Sequence, residues 1–175
     1  LLYWNSDSTR MPYKMHSFYL RNMYMKNLLK EPGGIEMLGV PIDINKVKVP
    51  AYFISSIEDH IAPWKSTYLG ATRLGGPVRF ALGGSGHIAG IVNPPAANKY
   101  HFWTNKAKAL PATPDNWFEG ATQHPGSWWT DWQQWIGGLN GGDKVPARDP
   151  ARGKLKPLED APGSFVKFRL DQQKK

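Results

Sequence analysis

The 175-residue chain contains no cysteine. That absence removes disulfides, cysteine-ligated metal sites and any cysteine nucleophile within the chain itself. Long hydrophobic runs are also missing: no stretch approaches the roughly 20 apolar residues a membrane-spanning helix needs. The start, Leu1-Leu2-Tyr3-Trp4-Asn5, has no initiator methionine, basic leader or small-residue cleavage site. Nothing there has the pattern of a signal peptide, and the chain is expected to be the interior of a longer protein. Acidic residues are outnumbered, 14 against 22 basic, for a formal charge of +8. The basic residues are scattered, however, with dense groups only at 144–156 and at Lys174-Lys175, and no nucleic-acid-binding motif accompanies them. Nucleic acid is therefore not an expected partner, and no transmembrane segment or metal site is expected.

What is present is the composition of a folded protein. Hydrophobic residues make up 41% and aromatics 13%, with eight tryptophans, enough for one buried core. The pI near 9.7 raises the local concentration of anions and favours an acidic or phosphorylated partner.

Taken in order, Met15, Phe18, Tyr19, Met23, Leu28 and Leu29 recur at spacings of three and four, which predicts a helix behind Met11-Pro12, stopped by Glu31-Pro32-Gly33-Gly34. Residues 35–44 form an extended or turn-rich connection. The near-continuous apolar run 48–55 predicts a buried parallel strand with Pro50 tolerated near its entrance. A helix over 64–74 follows Pro63 and ends at Gly75-Gly76-Pro77, and a second strand covers 78–82. Strand, loop, helix and strand make a right-handed parallel crossover, so an open α/β sheet is expected, with its ligand site outside the carboxyl ends of the strands. Further helices are expected near Pro114-Asp115, with Trp117 and Phe118 inward, and over 127–139. Trp128, Trp132 and Trp135 share a face of that last helix, which is expected to pack on the sheet rather than form a carbohydrate or lipid platform. Beyond Gly137-Gly138 the composition turns to Gly, Pro and charged residues. Phe165, Val166 and Phe168 could add a last short strand or lie on the surface.

Two loops carry the candidate chemistry. Gly83-Gly84-Ser85-Gly86-His87-Ile88-Ala89-Gly90 follows the second strand and holds one histidine among four freely turning glycines. By itself such a loop could be structural. The first strand, however, is followed by Glu58-Asp59-His60, so an acid lies after one strand and a histidine after the next. That is the arrangement of the last two members of a nucleophile–acid–histidine triad, in which the acid orients the imidazole and the histidine takes the nucleophile's proton. Ser85 is rejected as the nucleophile: histidine occupies the place of the last glycine of a Gly-x-Ser-x-Gly elbow, and only two positions separate Ser85 from His87.

Several ungapped blocks carry a family resemblance. They are Leu1-Leu2-Tyr3-Trp4-Asn5-Ser6-Asp7, Phe18-Tyr19-Leu20-Arg21-Asn22-Met23-Tyr24, Glu58-Asp59-His60-Ile61-Ala62-Pro63-Trp64, Gly84-Ser85-Gly86-His87-Ile88-Ala89-Gly90 and Gly126-Ser127-Trp128-Trp129. Together, over nearly the whole chain, they resemble the carboxyl-terminal part of class I polyhydroxyalkanoate synthases. The resemblance implies the carboxyl-terminal portion of an α/β-hydrolase-like fold with part of a cap segment. It also implies polymerisation of (R)-3-hydroxyacyl-coenzyme A thioesters into storage polyester with release of coenzyme A. It makes Asp59 the catalytic aspartate and His87 the catalytic histidine, sets His60 near the pocket or exit path, and assigns Trp4, Tyr19, Arg21 and Tyr24 to the segment linked to dimerisation and substrate access. The family's nucleophile is a cysteine in a Gly-x-Cys-x-Gly box, which in this case must lie upstream of the chain.

The resulting expectation is a cap segment and connection over 1–47, the carboxyl-terminal half of the catalytic core over 48–140, and a basic, Pro/Gly-rich tail over 141–175. No cofactor is expected beyond the thioester substrate. The expected partners are the upstream half of the same domain, a second copy in a homodimer and the polyester granule surface, in the cytoplasm. Ester hydrolysis on the same fold, and a noncatalytic polyester- or lipid-binding module using the tryptophan face, are the competing readings. Without the upstream half, both strands 49–55 and 78–82 are expected to lack neighbours.

Overall fold

The structure is a computed structural model that describes residues 7–139 and 141–167. It divides into two compact units, one formed by the residues up to Tyr19 with those from Lys144 onward, the other by Leu20–Asp143. In the first unit lie helix α1 (Tyr13–Phe18) and two 3-10 turns, Pro150–Arg152 and Phe165–Lys167. Of the two expectations for Phe165 and Val166, the surface position holds for Phe165, which is 74% exposed and sits with Val166 in a 3-10 turn; Phe168 and the Lys174-Lys175 pair lie outside the described residues.

The long amino-terminal helix expected from spacing is broken up. After α1 the backbone continues as a π-helical segment, Tyr19–Met25, then turns at Asn27, whose φ is +49°, into a 3-10 turn at Leu28–Lys30. Glu36–Met37 (β1) and Val40–Pro41 (β2) close a small antiparallel hairpin within the connection.

The main sheet has four strands in spatial order β3 (Ala51–Ser56), β4 (Val78–Gly83), β5 (His101–Asn105) and β6 (Ala121–Pro125). β3 and β4 are parallel, in register from Ala51↔Val78 to Ser56↔Gly83, and are joined through helix α2 (Trp64–Ala71), as the crossover pattern requires. The remaining pairings are antiparallel, Leu82↔Trp103 for β4–β5 and Trp103↔Gln123 for β5–β6. The fold is therefore α/β with a mixed sheet, not one of parallel strands alone.

Side-chain alternation assigns the two faces of this sheet. Phe53, Phe80 and Leu82 point to one face, where Tyr68 and Ala71 of α2 and Trp117 of helix α3 (Pro114–Glu119) complete the core. Phe80 meets both Tyr68 and Trp117 edge-on, with ring centroids 5.1 and 5.0 Å away. Tyr52 and Arg79, paired across β3 and β4, point the other way, toward helix α4 (Trp129–Leu139). Tyr52 there contacts Trp128 and Trp135 at 6.0 and 5.3 Å, and Asp131 accepts from both the Tyr52 hydroxyl (2.8 Å) and Arg79 Nε (2.7 Å). The tryptophan face packs on the sheet as expected, with Trp132 left 40% exposed at its margin.

Candidate active site

The parallel pairing of β3 and β4 extends past the strand ends and carries two loops side by side. Ile57 N donates to Gly83 O at 2.9 Å, and Glu58 N donates to Ser85 O at 3.1 Å. The first acceptor is the last residue of β4 and the second lies in the glycine-rich loop beyond it, so the residues immediately after β3 are stitched to the end of β4 and the loop that follows. Ser85 pays for this path with a left-handed φ of +71°, a conformation that costs a non-glycine residue on the order of 1 kcal/mol.

Beyond Ser85 the chain makes one helical turn. Gly90 N bonds Gly86 O at 2.8 Å and Val92 N bonds Ile88 O at 2.8 Å. Only glycine fits at position 90. A Cβ there would sit 2.4 Å from Ser56 Oγ, 2.5 Å from Gly84 O and 2.8 Å from Gly86 O. The turn is thereby pressed against the end of β3, and the Ser56 hydroxyl beneath it is buried without a hydrogen-bond partner among the described residues.

Asp59 and His87 face each other across the two loops, with Asp59 Oδ1 3.9 Å from His87 Nδ1. That separation is too long for a hydrogen bond but within ion-pair range for a protonated imidazole. Oδ1 already accepts from the backbone N–H groups of Ile61 (2.9 Å) and Ala62 (3.0 Å), which form an Asx-type turn leading into Pro63 and α2. The Ala62 N–H holds the Asp59 carboxyl below the ordinary carboxylate range, helped by Ile61 and by the imidazoles of His87 and His60, while partial burial opposes the shift. Its carboxylate is thus an anion at neutral pH, fixed in orientation by backbone and able to stabilise a neighbouring imidazolium. The Asp59 side chain is 11% exposed and that of His87 39%, so the acid is sheltered and the histidine reachable.

His60 packs edge-on against His87 at 5.5 Å between ring centroids and joins the cluster. Tyr24 does not: it is 79% exposed on the π-helical segment and makes no hydrogen bond, ion pair or ring contact with Asp59, His60 or His87. Trp4 lies outside the described residues. His101, the first residue of β5, backs the loop. Its carbonyl accepts from Gly84 N at 2.8 Å, and its ring lies against the Gly84 α-carbon. No motif announces that contact; it follows from β5 pairing beside β4. Among the described residues no group of three or more His, Asp or Glu side chains could hold a metal, and no helix is long and apolar enough to cross a membrane.

Fold and site together define an α/β protein that sets an ionised aspartate beside an accessible histidine at the carboxyl ends of two adjacent parallel strands. No family model matches the chain. Curated relatives do. It is 44% identical over 169 residues to the poly(3-hydroxyalkanoate) polymerase subunit PhaC of Cupriavidus necator, 97% of this chain and 28% of that protein. It is 50% identical over 169 residues to the protein of the same name from Rhizobium meliloti, covering 97% of this chain and 27% of the relative. The poly(3-hydroxyalkanoate) polymerase of Methylorubrum extorquens is 46% identical over 172 residues, again 97% of this chain and 27% of the relative. Over 97% of its length the chain is thus similar to poly(3-hydroxyalkanoate) polymerases, and it spans little more than a quarter of the length of these relatives.

Proposed function

We propose that this chain supplies the acid and the base of a Cys-His-Asp triad in a polyhydroxyalkanoate synthase, within an α/β-hydrolase-like catalytic domain. The observation that carries the reading is the juxtaposition of Asp59 and His87, in a chain whose relatives bear the polymerase name over 97% of its length. The cysteine belongs to a part of the protein outside these 175 residues.

In the proposed cycle His87 takes the proton of that cysteine, and the thiolate attacks the carbonyl of an (R)-3-hydroxyacyl-coenzyme A thioester. The carbon–sulfur bond to coenzyme A breaks as the acyl–cysteine bond forms, and coenzyme A leaves with the proton. Chain growth follows when the 3-hydroxyl of one unit loses its proton to a base and attacks the acyl thioester of another: the ester bond forms as the acyl–sulfur bond breaks, and the released thiolate takes up the proton from the base. Asp59 keeps the imidazole oriented and offsets the charge His87 gains. His60, against the His87 ring, borders the space the substrate enters. The positive balance of the chain, +8, suits the phosphates of coenzyme A. The cap role of Tyr19, Arg21 and Tyr24, the homodimer and attachment to cytoplasmic polyester granules belong to the same proposal, as does the organisation into cap segment (1–47), core (48–140) and basic tail (141–175).

The experiment that tests the reading supplies (R)-3-hydroxybutyryl-coenzyme A to the intact protein and identifies the product. Polymer appearing with stoichiometric coenzyme A release is expected. Free 3-hydroxybutyrate as the sole product would make the protein a thioester hydrolase and overturn the proposal.

A further inference from the structure

The turn that carries His87 is only seven residues long, from Gly86 to Val92, and a single helical turn is not stable on its own. Its last carbonyls have no partner within the turn, as at any helix end. One of them is satisfied twice over. Trp128 Nε1 donates to Ile91 O at 3.1 Å, and Trp129 Nε1 donates to the same oxygen at 3.0 Å. A carbonyl oxygen has two lone pairs, and here two consecutive indoles take them.

The donors are themselves fixed. Gly126 has φ +81° and reverses the chain after β6; Ser127, buried, accepts from Trp129 N at 3.1 Å and opens α4. Trp128 stacks on Tyr52 of β3 at 6.0 Å with the rings 28° apart, and Asp131, one turn further along α4, is bonded to Tyr52 and Arg79. Ile91 N and Val92 N both donate to the carbonyl of Ile88, the residue next to His87, at 3.2 and 2.8 Å, so a constraint on the Ile91 carbonyl is passed through these bonds to the peptide beside His87. On the opposite side the turn meets Ser56 through Gly90. The turn is thus clamped between the end of β3 and the start of α4.

We infer that Trp128 and Trp129 are positioning residues that hold His87 in register with Asp59 by donating two indole N–H groups to the Ile91 carbonyl. The inference rests on the reading of His87 as the catalytic base. It also accounts for two adjacent tryptophans: neighbours on a helix point about 100° apart, so two indoles reach one oxygen only if it lies between them at the helix start.

The test is made on the intact polymerase with Trp128→Phe, Trp129→Phe and the double variant, measuring coenzyme A release. Each single variant keeps one donor on Ile91 O, and its kcat should stay within about threefold of wild type. The double variant should lose about 30-fold or more in kcat with KM within about twofold, a loss larger than the product of the single effects, as expected for two groups serving one acceptor. Additive losses, or a double variant with wild-type kcat, would overturn the inference, as would an effect confined to KM. Should the double variant fail to fold, indole exchange in the wild-type enzyme labelled with 15N-tryptophan decides. Slow exchange at both Trp128 and Trp129 supports the clamp, and solvent-like exchange at either one refutes it. His87→Ala, measured alongside, separates the two levels. If it retains turnover, the catalytic reading itself fails; if it is inactive while the double variant is normal, only the positioning role fails.

Discussion

Asp59 and Gly90 carry the site's demands at the scale of single residues, and both are testable there. Asp59→Asn keeps an oxygen that can accept from Ile61 and Ala62, so the loop should still form, but it removes the charge opposite His87. Turnover should fall about 10³-fold with little change in melting temperature, by the logic of triad aspartates. The pH sign follows from the lowered Asp59 pKa: its stabilising contribution is present above the unfolded-state value and fades as pH falls through the folded one. Acid unfolding of the wild type should therefore be steeper than that of Asp59→Asn, and equal acid limbs would count against a folded-state interaction. Gly90→Ala forces a methyl group onto two backbone oxygens as well as Ser56 Oγ. It should cost about 1–3 kcal/mol and displace His87. Trimming Ser56 as well, in Ser56→Ala/Gly90→Ala, should not restore turnover, because the carbonyls of Gly84 and Gly86 remain in the way; full restoration would mean that the hydroxyl alone sets the fit.

At the scale of elements, the link between α4 and the β3–β4 pair is the most exacting contact. Arg79 and Asp131 approach closely in a half-sheltered site and Tyr52 adds its hydroxyl. Burial alone would raise the Asp131 pKa, but the Arg79 and Tyr52 bonds more than offset it and hold the carboxyl low. Asp131→Ala leaves a guanidinium and a phenol without their acceptor, at an expected cost of about 2–3 kcal/mol. Amide exchange should then quicken in α4 and β3 while α2 and α3, on the other face, keep their protection; uniform loss across the domain would contradict the two-face layout. The elements legible in the sequence were those bounded by clear signals. β3 and β4 are short apolar runs, α2 lies between Pro63 and Gly75-Gly76-Pro77, and the Asp59 and His87 loops follow from their order. β5 and β6 were missed. Phe102 and Thr104 of β5 do alternate inward, but the adjacent Tyr100, His101 and Trp103 blur the period. β6, Ala-Thr-Gln-His-Pro, is polar and ends in proline, which an edge strand tolerates and a pattern search rejects. The Ile91 clamp was invisible because a backbone carbonyl has no sequence signature, even though both of its donors stood in a quoted block.

On the scale of the whole molecule, β4 is flanked on both sides, by β3 and β5, so the expectation that both parallel strands lack neighbours holds for β3 alone. The ladder bonds of Ala51 and Ile57 to the β4 side assign the N–H groups of Tyr52, Ile54 and Ser56 to the open side, where no strand pairs among the described residues. Such an edge promotes self-association. The isolated 175-residue chain should oligomerise with rising concentration, and Ile54→Pro, which deletes an outward donor, should reduce that in sedimentation runs. Phe53→Pro breaks a bond to β4 and should instead unfold the sheet. If the two prolines behave alike, the strand parity is wrong.

The central claim, that Asp59 and His87 act together as acid and base of the polymerase, is tested most directly by the rate of coenzyme A release from (R)-3-hydroxybutyryl-coenzyme A in intact His87→Ala compared with wild type. A fall of about 10³-fold or more with the melting temperature preserved is expected. Turnover within about tenfold of wild type would contradict it.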